Sequence, residues 1–195
     1  MAADAGGRAL SVPGRAKTAE GAAARAGDPT GPVRVVPGHA APGPDVGLGK
    51  RLVVALGMAW TLPNTVIGLL LGAVGMAFGA RPRLRRRDLA CVFHRWPWGP
   101  GGAITIGNVI LHTGSDLDTA CSTYAHAAGL SRDPPIRLCD HERAHVYQYL
   151  VLGPLFLPAY LVCGGVSVRN PFERAADRYA STGHGWWPWP VPPRP

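Results

Sequence analysis

Acidic side chains are scarce in this 195-residue chain, with nine Asp and only three Glu, at Glu20, Glu142 and Glu173. Lysine is scarcer still: arginine supplies 18 of the 20 basic residues. Charged residues make up 16%, against roughly 25% in ordinary soluble domains. That shortage excludes a long coiled coil, whose outward positions are largely charged. Four Cys are too few for a disulfide scaffold. Hydrophobic residues nevertheless reach 47%, with six Trp, which excludes a wholly disordered chain. The formal net charge of +8 accompanies Ala-, Gly-, Pro- and Arg-rich usage of the kind a GC-rich coding bias produces. Basicity of that origin is no sign of nucleic-acid binding.

What the chain has in place of charge is long apolar runs. Residues 1–49 hold twelve Ala and no aromatic residue, and read as a disordered arm without the order of a signal peptide. Residues 52–80 run 29 positions without a charge, bracketed by Lys50 and Arg51 and by the Arg81–Arg87 cluster. A run longer than about 18 residues is a transmembrane candidate, although a buried core helix shares the pattern. Residues 50–87 are therefore expected to be a membrane segment with basic flanks, and Pro63-Asn64 to break it into two membrane-dipping pieces. The Arg cluster reads as an anchor at the membrane surface. It lacks a recognition helix or stacking platform, so nucleic acid is not an expected partner.

Residues 88–113 are expected to form strands, and residues 137–153 a helix. Residues 149–166 are apolar but interrupted by Pro154, Pro158 and Gly164-Gly165, and are expected to turn back as a buried or shallow membrane-dipping hairpin. Asn170 opens another helix, and residues 181–195 form a Pro/Trp-rich tail. The four Cys, in no framework and beside an Arg-rich flank, are expected to be free thiols on a reducing cytosolic side.

Residues 141–145 read His-Glu-Arg-Ala-His, an HExxH. On a helix this spacing puts His141 and His145 on one face, one turn apart, where both imidazoles reach one Zn²⁺. Glu142 stands beside them as the general base for a water activated by the metal. A catalytic zinc needs a third protein ligand, and Glu173 is the best candidate. Asp177, one turn later, would accept the free ring N–H of a ligating His.

HERAH with its downstream Glu-x-x-x-Asp resembles the gluzincin pattern of thermolysin-like metallopeptidases. HERAHVYQ with ERAAD also resembles zincin-like domains written HExxHxxQ with a later E–AD element. TLPNTVIGLLLG, GGAITIGNVIL, GPLFLPAYL and NPFERAADRYA extend the likeness, over residues 52–180, to a group of small bacterial membrane-associated proteins. The resemblance implies His141, His145 and Glu173 as metal ligands and Glu142 as base. It implies a peptide or protein substrate, bound as an added strand along an edge strand for which residues 103–111 are the candidate; an ordinary sheet strand is the other reading. No residue plainly matches the transition-state-stabilising group of these enzymes, for which Tyr147, Tyr149, Tyr179 and His184 are candidates.

The expected fold is α+β: a minimal zincin-like core over residues 88–180, following a membrane segment. The expected function is a zinc metallopeptidase bound to membrane lipid at the bacterial inner membrane, its catalytic domain facing the cytoplasm. The rival is a membrane-anchored structural or interaction protein with a non-catalytic metal site.

Overall fold

The computed structural model describes residues 47–99 and 101–189. Residues 1–46 of the expected arm 1–49 and the last tail residues, 190–195, lie outside the described residues, and the end of the arm, Leu48 and Gly49, begins the first helix. The fold is α+β.

Two apolar helices come first, α1 (Leu48–Trp60) and α2 (Leu62–Met76), bent by 65° where Thr61 separates them. Pro63 sits in the first turn of α2, where its missing N–H costs nothing, so it opens that helix. The chain then builds strands β1 (Arg81–Arg85), β2 (Ala90–His94), β3 (Ala103–Ile106) and β4 (Val109–His112). They form one sheet in the order β1-β2-β4-β3, with β2 and β4 parallel and the other pairs antiparallel. Residues 103–111 are thus not one strand but a hairpin. Gly107, at φ +63, makes the reversal, which puts β3 at one edge of the sheet and β4 inside it.

Both faces of the sheet are covered. On one, Phe93, Val109 and Leu111 meet α2 through a strip of its small residues. A Cβ on Gly68 would stand 2.7 Å from Val109 Cβ, and one on Gly72 only 2.3 Å from the Phe93 ring, so glycine is what permits this contact. On the other face, Val92 and Ile110 pack with Leu138, Cys139 and Val146 of α4 (Leu138–Leu152). Packing runs across the boundary expected between residues 87 and 88: β1 belongs to the sheet and α2 is one of its layers. The Arg cluster divides likewise. Arg85 is buried and binds Asp88 at 2.5 Å and Asp118 at 2.9 Å, while Arg81, Arg83 and Arg86 remain exposed.

A two-residue ladder, β5 (Ala120–Cys121) with β6 (Ile136–Arg137), brackets a short helix, α3 (Tyr124–Ala127), and leads into α4. The first amides of α4 find backbone partners: Leu138 N donates to Thr119 O and Cys139 N to Leu117 O, both at 3.0 Å. Inside α4, Arg143 is 2% exposed and binds Asp88 and Asp140, pinning the helix beneath the sheet.

Residues Leu138–Val162 are helical almost throughout, and over 25 residues long and apolar enough to cross a membrane. They are not one rod. Gly153, at φ 53 and ψ −129, reverses the chain, so that α5 (Phe156–Val162) folds back along α4. The Tyr160 ring lies 6.2 Å from that of His145, whereas a straight helix would hold these positions about 22 Å apart. The hairpin turns at glycine, at Gly153 and again at Gly164-Gly165 (φ +111 and +57), and the prolines fall within its helical turns. Helix α6 (Pro171–Thr182) then returns along α4. The tail expected from residue 181 begins inside α6, and residues 183–189 pack back against the helices.

Candidate metal centre

Two helical periods, brought face to face, create the cluster. His141 and His145 sit one turn apart on α4; Glu173 and Asp177 sit one turn apart on α6. The antiparallel pairing sets His141 opposite Asp177 and both histidines opposite Glu173. Asn170, fully buried at the N-cap of α6, fixes the register: its Oδ1 accepts from Phe172 N at 3.0 Å, and its Nδ2 donates to the carbonyls of Tyr160 and Gly165. One side chain thus starts the Glu173 helix and ties it to the α5 hairpin.

Three ligand atoms converge. His141 Nε2 lies 3.1 Å from Glu173 Oε2, His145 Nε2 lies 3.4 Å from the same oxygen, and the two Nε2 atoms are 3.2 Å apart. In a tetrahedral zinc site with bonds of about 2.0–2.1 Å, neighbouring ligands stand about 3.3 Å apart. All three side chains are buried, and they are the one such group among the described residues.

The outer atoms of the ligands are engaged as well. His141 Nδ1 meets Asp177 Oδ1 at 3.0 Å, and His145 Nδ1 meets Gln148 Oε1 at 2.8 Å. Acceptors on both Nδ1 atoms place the ring protons there and leave each Nε2 lone pair for a cation. Gln148 in turn donates to the carbonyls of Phe172 and Trp186, and the Tyr160 hydroxyl donates to Glu173 Oε1. Burial opposes charge on His141, but hydrogen bonds to Asp177 and Glu173 and the nearby carboxylates outweigh it and lift its pKa to about 10. Burial also opposes the charge on Glu173, yet the histidines hold its carboxyl well below the usual range.

Glu142 points to the other side of His141, toward the sheet, where Thr105 Oγ1 of edge strand β3 donates to its Oε2 at 2.6 Å. Glu142 and His141 line a cavity of about 130 Å³ whose rim carries Gly102 and Ala103 before and in β3, with Cys121 and Tyr124 opposite.

The four candidates for a transition-state-stabilising group are placed elsewhere. Tyr147 and Tyr179 meet edge to face, Tyr149 is buried against Phe156, and His184 is exposed beyond α6. Tyr160 and Tyr124 flank the histidines in their stead, with Tyr124 N donating to Asp177 Oδ2 at 3.0 Å. Tyr160 lies in the apolar segment, and Thr105 on a strand, so helical spacing points to neither; Gln148 was in view as the third residue after His145. Cys91, Cys121, Cys139 and Cys163 are free thiols, and burial raises those of Cys121 and Cys139 to about 12. No family model, curated protein or solved structure matches the chain, so the centre is interpreted on its own geometry.

Proposed function

We propose that the chain is a membrane-associated, zinc-dependent metallopeptidase on a minimal zincin-like core. The observation that carries this reading is the triangle of His141 Nε2, His145 Nε2 and Glu173 Oε2, with edges of 3.1–3.4 Å, beside a buried carboxylate that is not one of its corners. The donor set fits zinc: two imidazoles, one carboxylate oxygen and an open side. Zinc held there would acidify water and polarise a carbonyl. Glu142, oriented by Thr105, is the base that takes a proton from that water and returns it to the leaving amine. Gln148 and Asp177 keep the histidine rings aimed, and Tyr160 occupies one Glu173 oxygen so that the other faces the histidines. Strand β3 has one unpaired edge next to the cavity, where an extended peptide would add as a further strand. The 48–78 apolar segment supports placement at a membrane, and we assign it to the bacterial inner membrane with the centre facing the cytoplasm.

Metal content and turnover together test the reading. Purified protein should hold about one zinc per chain. Glu142→Gln should keep the zinc and lose peptide hydrolysis, whereas His145→Ala and Glu173→Ala should lose the zinc. A Glu142→Gln protein that loses metal, or cleaves peptides as well as the parent, overturns the assignment of roles.

A further inference from the structure

We infer that the protein enters its membrane from one side only, through an apolar surface formed by α1, α2 and α5, and that no described segment crosses the bilayer. This rests on the membrane part of the reading above and is independent of the zinc chemistry.

Of 26 large hydrophobic side chains exposed among the described residues, 21 lie within 48–78 or 151–166. The two stretches are far apart in sequence and adjoin in space. Asn64 Nδ2 donates to Gly153 O at 3.0 Å, the Trp60 indole lies against Gly153, and Gly57 lies against Leu150. The patch therefore continues from α1 and α2 onto the hairpin, well beyond the few hundred Å² usual on a soluble monomer.

Lipid is the occupant these features fit. Helix α1 has no buried residue, and its exposed Leu52, Val53, Leu56 and Met58 span more than one face. A folded partner would cover one side of such a helix; acyl chains cover every side that the contact of Gly57 with Leu150 leaves open. Exposed cations stand at both ends of the helix pair, Lys50 and Arg51 in the first turn of α1 and Arg81, Arg83 and Arg86 after α2, where anionic head groups would lie.

Crossing is ruled out by what the inner faces of these helices touch. At 13 and 15 residues, α1 and α2 are about 20 and 22 Å long, each short of the ~30 Å hydrocarbon core, so only the pair together is long enough to cross, and the packing of α2 decides against it. Along α2, Gly68, Gly72 and Gly75 rest on Val109, Phe93 and Trp96, so that helix is a layer of the sheet and lipid meets only its outer side. The other long apolar stretch is excluded because its first half buries His141, Glu142, Arg143 and His145 and its second half folds back.

Two measurements on the full chain test this. In the first, protein is floated with vesicles of phosphatidylethanolamine and phosphatidylglycerol at 3:1. The parent should float. Leu70→Asp and Leu161→Asp, at exposed positions on α2 and α5, should each lower the bound fraction at least tenfold with unchanged circular dichroism. Pure phosphatidylcholine should weaken binding at least tenfold. A parent that ignores vesicles, or elutes as a stable dimer that does so, overturns both the membrane reading and this inference. In the second, Leu48→Cys and Phe78→Cys are labelled with an impermeant maleimide in right-side-out and inverted membrane vesicles. Both should label from the same side. Labelling from opposite sides overturns one-sided entry and leaves membrane association standing.

Discussion

Gln148 is uncharged, fully buried and three residues past the second histidine, yet it joins three parts of the chain. Its oxygen holds the His145 ring, and its amide binds carbonyls of Phe172 at the start of α6 and Trp186 beyond the end of that helix. Arg178 secures the same tail by donating to the carbonyls of Gly185 and Trp187. Outer partners of this kind are worth about 10–100-fold in metal affinity. Gln148→Ala should therefore weaken zinc binding by that factor in a chelator competition, while Tyr147→Phe, whose ring faces Tyr179 and Trp186, should leave it unchanged. The pairing of His141 with His145, and of Glu173 with Asp177, was legible because helical spacing is local and a sequence displays it. Thr105 and Tyr160 were not. Each reaches the site only through a tertiary contact between elements, and a hydroxyl on a strand or in an apolar run carries no periodic signature.

At the level of elements, apolarity was legible and its partner was not. The uncharged run 52–80 announced two helices broken near Pro63, but which face each would bury depends on glycines spaced along α2. Gly68, Gly72 and Gly75 leave a flat strip where backbone meets sheet, and hydropathy alone reads that strip as more lipid-facing surface. Gly72→Ala tests the point. Its methyl would sit 2.3 Å from a Phe93 ring carbon, so the helix or the ring must shift. Overpacking of this kind costs about 1–3 kcal/mol, which urea unfolding should register as a lower midpoint at constant slope. Ala73→Gly, one residue along on an exposed position, provides the contrast: it should cost only the ~1 kcal/mol of helix propensity.

Taken whole, the molecule carries a second buried histidine pair that titrates with its stability. His94 Nδ1 and His112 Nδ1 lie 3.2 Å apart on neighbouring strands β2 and β4. Burial, then the charge of His94, depresses His112 to about 4, with Asp116 pulling weakly the other way. Burial and the charges of Arg85 and Arg83 depress His94 as well. A folded-state pKa below the unfolded value of 6.5 means that the unfolded chain binds more protons between these limits. The stabilisation is complete above pH 6.5 and is lost as the pH falls through about 4, an effect on the order of 3 kcal/mol for His112. Thermal unfolding followed from pH 7.5 to 4 should show this slope, and His112→Gln should flatten it.

The Gly107 turn, finally, sets a length. Its Cα faces the backbone of Thr65 near the start of α2, and two residues earlier Thr105 holds the base Glu142. About 7 Å of extended strand thus separates the apolar helices from the reacting group. Under the proposed function, a peptide lying along β3 would be measured from the bilayer by its own residue count. Scission would fall at a fixed number of residues from the lipid surface whatever the side chains there, and position would select the bond where sequence does not. Moving a scissile site along a membrane-anchored peptide, one residue at a time, would read the ruler directly.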